Sequence, residues 1–261
     1  MSYESEVSIG DVRYVPVRAQ REDRHSYGYT GGPDGMKLFI AFHLADTTRD
    51  RCVRVQRDLF ERVGRAATTI LRPVPAEKMH ITAVFIGEVD RRTTDQIGAV
   101  FHDCIASLRG VGRSGMESGG TAHLPSLSIG GVGAFPSIRR PRVVWVEAAD
   151  PRGVVDEWVR GLRVALSGGA AALRLDIDSR RFVPHVTIAY PRRRLNRDQR
   201  RVLESALIFE AEANDAADVV AGSVTPIDRL SAPEPVPRIA VVESISTGQG
   251  TRYEDLFWID L

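Results

Sequence analysis

The amino-acid sequence predicts an α/β protein of the α+β kind, built on antiparallel or mixed sheet rather than on a doubly wound parallel one. Apolar runs of strand length interleave with segments of helical period. Several connections are too short for a parallel crossover, which needs a dozen or more residues. The order of elements also nearly repeats after a Gly- and Ser-rich stretch at residues 110–120, the natural place for the chain to pass between halves.

Residues 1–35 stand apart as a leader, either an extension or a segment docked back onto the domain. They carry four of the six tyrosines and close on Gly31-Gly32-Pro33-Asp34-Gly35, a strong punctuation of the chain. The domain proper is expected over residues 36–261. Residues 37–44 have strand length and a β-favouring composition. Asp46, Thr47 or Thr48 can cap a helix running to about Gly64, with Val53, Leu59, Phe60 and Val63 at helical spacing. A strand at 79–86 ends at Gly87, and a helix at 93–108 carries Ile97, Val100, Phe101, Ile105 and Leu108 on one stripe. Strands at 127–135 and 143–147, a helix at 154–166, a strand at 184–190 and a helix at 197–207 follow. The chain closes on a hairpin, 238–246 and 253–259, across Gly248-Gln249-Gly250.

Composition narrows the function. The chain of 261 residues is 43% hydrophobic and 26% charged, and chains of this size bury roughly 70–75% of the surface their unfolded forms expose. No disulfide or structural metal is needed to hold such a core. Its net charge is +1, from 35 basic and 34 acidic residues, so anion binding has to be local. Lys37 and Lys78 are the only lysines. The rest of the basic set is arginine, whose planar fork suits phosphate, although a coding bias toward Arg explains the same count. Cys52 and Cys104 lie far apart, without a CxxC or a His at ligand spacing, which argues against zinc and against a secreted disulfide framework. The first thirty residues lack the apolar run of a signal peptide, and no stretch approaches a membrane span. A cytoplasmic monomer with no metal, no cofactor and no membrane association is expected.

Two segments carry the chemistry. Met79-His80-Ile81-Thr82-Ala83-Val84-Phe85 and Pro184-His185-Val186-Thr187-Ile188-Ala189-Tyr190 each hold His-x-Thr inside an apolar strand. Side chains two apart on a strand share a face, so each strand offers an imidazole beside a hydroxyl. About one histidine in eight would show this pattern by chance. Two of the six histidines do, in matching apolar contexts in separate halves of the chain, where unpaired polar side chains are costly. With an unperturbed pKa near 6.5, one imidazole can be neutral and the other protonated near pH 7, giving a general base and a general acid. Two hydroxyls and an imidazolium suit a tetrahedral anion such as phosphate.

At these residues the sequence resembles the 2H phosphoesterase superfamily, which is named for two His-x-Ser/Thr motifs. Within it the chain most resembles the bacterial RNA 2′,3′-cyclic phosphodiesterase branch, once called 2′-5′ RNA ligases. Lys37-Leu38-Phe39-Ile40-Ala41 is similar to the family's first strand, and the run from Pro75 to Val89 to its first motif. Gly133-Ala134-Phe135-Pro136 followed by Arg140-Pro141-Arg142-Val143-Val144-Trp145 is similar to its middle hairpin, and the run from Arg181 to Ala189 to its second motif. Val242-Glu243-Ser244 and Tyr253-Glu254 also fit. The resemblance covers about residues 36–261.

It implies a bilobed fold in which two antiparallel sheets, with helices outside, face a central cleft in pseudo-twofold symmetry. It also implies metal-free hydrolysis of an RNA-terminal 2′,3′-cyclic phosphate to a 2′-phosphate. Carried onto this chain, His185 activates water, His80 protonates the departing 3′ oxygen, and Thr82 and Thr187 hold the phosphoryl oxygens. Phe85 and Tyr190, at equal offsets from the two histidines, and Phe39 on the first strand are the substrate-binding candidates. The partners are RNA 3′ ends or nucleotide phosphodiesters.

The chain departs from the family at Tyr190, where Arg is common. Strict alternation points Tyr190 away from the cleft unless Pro191 ends the strand and frees its direction. Arg192, Arg193 and Arg194 could supply the missing charge or simply form an exposed basic turn. Two other readings follow. One keeps the fold but changes the substrate to a 2′-5′-linked oligonucleotide, a cyclic nucleotide or an ADP-ribose-type phosphodiester. The other is a non-catalytic nucleotide- or RNA-binding module. ATP-dependent ligation is disfavoured, because the chain has no P-loop and only two lysines.

Overall fold

The computed structural model describes residues 35–114, 124–173, 175, 177, 178, 180–213, 230–248 and 250–261, with the backbone alone of 7–9, 12–14, 110–114, 169–172 and 209–213. The expected loop at 115–120, the rest of the leader, and Gln249 in the closing turn lie outside the described residues. In chain order the elements are β1 (Val7–Ile9), β2 (Val12–Tyr14), β3 (Met36–His43), α1 (Asp46–Val63), the short α2 (Ala67–Ile70), β4 (Leu71–Pro73), β5 (His80–Val89) and α3 (Arg91–Ser114). There follow β6 (Ser126–Phe135), β7 (Val143–Ala149), α4 (Val154–Leu173), β8 (His185–Pro191), α5 (Arg197–Ala213), β9 (Glu234–Pro235), β10 (Arg238–Thr247) and β11 (Gly250–Asp260).

The strands form two sheets, ordered β1-β2-β11-β10-β3-β5 and β4-β8-β7-β6-β9. Every pairing within them is antiparallel, which removes the mixed-sheet alternative. β2 pairs with β11, so backbone from the leader extends the first sheet. The short strands β4 and β9 have no counterpart in the sequence reading, because two or three residues are too few to show a period. The expected loop start at 110 is instead the last turns of α3, and α4 runs to Leu173 rather than stopping near 166.

The helices exchange sheets. α1 follows β3 of the first sheet but packs on β6 and β8 of the second, alongside α5. α4 follows β7 of the second sheet but packs against α3 and reaches β5 of the first. A Cβ at Gly98 of α3 would stand 2.8 Å from the Phe257 ring of β11, so a glycine there lets the helix lie close on the sheet. The crossing makes one contiguous core under both sheets, from Ile40, Phe42 and Ile81 to Val146, Val186 and Leu207. A separate small cluster, Phe39, Ala41, Ala240, Val242 and Trp258, lies on the other face of the first sheet. That face carries His80. Among the described residues no helix is long and apolar enough to cross a membrane.

Candidate active site

His80 opens β5 and His185 opens β8, and in both strands the pleat behaves alike. His80 and Thr82 are partly exposed, whereas Ile81 between them is buried; His185, Val186 and Thr187 repeat the pattern. Each strand then bulges directly after its threonine. In β5, Thr82 pairs with Ala41 and Val84 with Ile40, leaving Ala83 unmatched. In β8, Thr187 pairs with Trp145 and Ala189 with Val144, leaving Ile188 unmatched. A bulge inserts one residue and shifts the alternation by one. Ala83 and Val84 are accordingly both buried, as are Ile188 and Ala189.

The consequence falls on the fifth position after each histidine. Phe85, 59% exposed, emerges on the face of His80 and Thr82, where it pairs in register with Phe39. Tyr190 emerges on the face of His185 and Thr187. The strand does not end before Pro191, which pairs with Leu71. Tyr190 is therefore turned to the cleft by the bulge and not by a strand end. The Ile188 carbonyl accepts hydrogen bonds from the Gln56 amide of α1 (2.7 Å) and from the Val74 backbone N–H (2.9 Å), which secures the bulge in β8.

Both imidazoles are held the same way. His80 Nδ1–H donates to the Lys78 carbonyl at 2.8 Å, and His185 Nδ1–H to the Val183 carbonyl at 2.7 Å, each two residues upstream. This bond sets the tautomer and leaves Nε2 as the nitrogen without a ring proton. The ring of His80 stacks on Phe39 (5.0 Å between centroids) and meets Tyr253 edge-on at 5.2 Å. The ring of His185 meets Phe135 edge-on at 5.0 Å and lies 6.0 Å from Trp145. Gly133, paired with Trp145 across β6 and β7, is required here, because a Cβ would stand 2.2 Å from the indole.

Burial disfavours the charged form of an imidazole. It pushes His80 down to about 4, opposed by the bond to the Lys78 carbonyl and lowered further by the charges of His43 and His185; the negative Asp255 raises it. Burial also lowers His185, against the bond to the Val183 carbonyl. Burial thus biases both rings toward the neutral form. Strands β5 and β8 pack against each other, so the two His-x-Thr segments come from neighbouring strands of the two sheets. On the first sheet His80, Thr82, Phe39 and Phe85 share one face, and on the second His185, Thr187 and Tyr190 do.

Sequence reasoning missed several neighbours. His43 pairs in register with His80, and its Nε2 lies 3.1 Å from Asp255 Oδ1. Arg72 of β4 is the register partner of Tyr190, with its guanidinium 5.2 Å from the centre of that ring. A cation is thus present beside Tyr190, delivered from the neighbouring strand. Arg192, Arg193 and Arg194 form the exposed basic stretch just past β8, and the first two also line a cavity beside Tyr190. Tyr253, Phe135 and Trp145 fall within the motifs, yet nothing in one sequence says that they wall the imidazoles.

Burial pushes the Cys52 thiol up to about 12 and raises that of Cys104, so both are poor nucleophiles and poor ligands. Among the described residues no group of three or more His, Cys, Asp or Glu side chains is arranged to hold a metal ion.

The chain is similar to the RNA 2′,3′-cyclic phosphodiesterase of Aeropyrum pernix, at 29% identity over 187 residues, 72% of this chain and 84% of that protein. The enzyme of the same name from Methanothermobacter thermautotrophicus is 28% identical over 165 residues, 63% of this chain and 76% of the relative. A crystal structure from Thermus thermophilus superposes with a TM-score of 0.54 at 23% identity, covering 87% of this chain and 98% of that one. E. coli LigT complexed with 3′-AMP superposes with a TM-score of 0.51 at 20% identity, covering 87% and 99%. The fold is theirs. A sequence model of the 2′-5′ RNA ligase superfamily matches residues 42–229, a span that takes in both His-x-Thr strands, and the chain belongs to that superfamily.

Proposed function

We propose that this protein hydrolyses an RNA-terminal 2′,3′-cyclic phosphate to a 2′-phosphate, without a metal ion, through His80 and His185. The observation that carries the reading is the duplicated half-site: two imidazoles with Nδ1 fixed by the carbonyl two residues upstream, each beside a threonine, coupled across the cleft. The relatives named above bear the activity in their names, and residues 42–229 share their superfamily.

In this reading the phosphoryl group sits between Thr82 and Thr187, whose hydroxyls donate to its non-bridging oxygens. His185, neutral, takes a proton from water as the water oxygen bonds to phosphorus. The P–O3′ bond breaks opposite, and His80, protonated, gives its proton to O3′. A 2′-phosphomonoester and a 3′-hydroxyl result. His185 then holds one proton more and His80 one fewer, and exchange with solvent restores the pair. The bound phosphodiester supplies the anion that draws a proton into the site, and Asp255 opposes, in small part, the burial that lowers His80. The two rings titrate as one coupled unit.

The test is to incubate the protein, in the presence of EDTA, with a short RNA ending in a 2′,3′-cyclic phosphate and to identify the terminal phosphate. A 2′-phosphate is expected. A 3′-phosphate, an EDTA-sensitive rate or no turnover would each overturn the reading in part or whole.

A further inference from the structure

A cavity of about 1190 Å³ opens beside Tyr190, and seven of its twelve lining residues are arginine while none is acidic. In a chain whose basic and acidic residues almost cancel, this is a concentration of one sign that composition alone does not supply. The arginines come from four separate places. Arg139, Arg140 and Arg142 lie on the turn between β6 and β7, Arg72 on β4, Arg192 and Arg193 just past β8, and the last on α5. Holding so many cations together costs free energy through mutual repulsion unless an anion is shared among them.

Among the described residues, internal neutralisation is slight. Arg139 approaches Glu204 at 3.9 Å with its own side chain 88% exposed. The Arg192 Nε–H donates to the Thr68 carbonyl at 2.9 Å, which orients that guanidinium without cancelling its charge. Arg72 lies against the Tyr190 ring. The cavity volume exceeds the roughly 300–1,000 Å³ typical of a site for one small ligand. It also joins the catalytic face directly, since Tyr190 lines it and follows His185 and Thr187 on β8.

Resting on the function proposed above, we infer that this arginine-lined cavity is the track for the phosphates of an RNA strand 5′ of the terminal cyclic phosphate. The protein then acts on oligonucleotide ends in preference to mononucleotides. Tyr190, backed on one side by Arg72, offers its ring to a base next to the reacting end. The arginines bind successive phosphates, which carry no sequence information, so the preference is for chain length and not for base identity.

The experiment compares kcat/KM for a short RNA ending in a 2′,3′-cyclic phosphate with that for a nucleoside 2′,3′-cyclic phosphate, over a range of salt. Binding of the same RNA, labelled at its 5′ end, is followed by fluorescence anisotropy. The oligonucleotide should be preferred by about tenfold or more, with an affinity that falls steeply with salt. Each single change, Arg140→Ala, Arg142→Ala or Arg193→Ala, should lower the ratio of the two kcat/KM values and reduce the salt slope by about 0.7 per lost phosphate contact. The mononucleotide rate reports on folding and on the histidine pair separately. Equal kcat/KM for the two substrates, with weak and salt-independent RNA binding, overturns the track and leaves the reaction standing. Arginine-dependent RNA binding with no turnover of either substrate supports the track and overturns the reaction instead.

Discussion

In the first half-site His80 packs between Phe39 and Tyr253 with His43 and Asp255 beside it; in the second, His185 packs between Phe135 and Trp145 with an arginine-lined cavity beyond Tyr190. The backbone plan is shared down to the carbonyl that holds Nδ1 and the bulge after threonine. The surrounding charge is not. The negative Asp255 acts on His80, while the guanidinium groups gather past His185. Duplicated geometry supplies two equivalent nitrogens, and unequal surroundings make them different acids. Under the proposed function, the same inequality gives the cleft a direction, the arginine-lined side being the one that suits a polyanion.

The largest effect should come from removing either imidazole. His80→Ala and His185→Ala should each lower kcat/KM by roughly 10²–10⁴, and the double variant should lose little more than the worse single one, because the pair acts as a unit. A single variant with wild-type turnover would break the equivalence of the halves. Next come the hydroxyls: Thr82→Ala and Thr187→Ala should each cost about 10–10² in kcat/KM, the worth of one hydrogen bond to a charged group. A loss at only one threonine would show that the phosphoryl group leans on one sheet.

Gly133→Ala sharpens the contrast in packing. Its Cβ would meet the Trp145 ring, so thermal unfolding should show a loss of about 1–3 kcal/mol. Turnover should fall as well, since Trp145 borders His185. Gly87 in β5 has positive φ and no atoms within 4 Å of an added Cβ, so its demand is for backbone conformation and not for space.

The smallest effects concern pH. His80 has a folded value near 4, below its unfolded value of about 6.5. As pH falls between these values the unfolded chain binds the extra proton, so stability is complete above about 6.5 and is lost progressively down to about 4. His185, also lowered, adds in the same direction. Denaturant titrations at several pH values should show this acid sensitivity reduced in His80→Gln. For turnover, the optimum of kcat/KM should lie on the acid side of neutrality. Asp255→Asn should move its alkaline limb further down, because an anion that favours the His80 imidazolium is gone.

The His-x-Thr strands are legible in the sequence because a period of two is visible in seven residues. So are the main helices, whose stripes are long. The facing of Phe85 and Tyr190 is not legible: the bulges at Ala83 and Ile188 leave no composition signature, and the β8 bulge depends on Gln56, 132 positions away in the chain. The exchange of α1 and α4 between sheets is equally silent, since an apolar stripe states that a helix packs but not on what. Arg72 is hidden for a similar reason. Its relation to Tyr190 exists only through the register of a three-residue strand.

The most direct measurement of the central claim is an NMR titration of the two site imidazoles, in the free protein and with a nucleoside 2′-phosphate bound. In the free protein both should titrate below 6.5, His80 near 4, and His80 should rise in His185→Ala as the coupling is removed. With the phosphate bound, both should move up together. Two imidazoles that titrate independently at about 6.5 and ignore the bound phosphate would contradict a coupled acid/base pair.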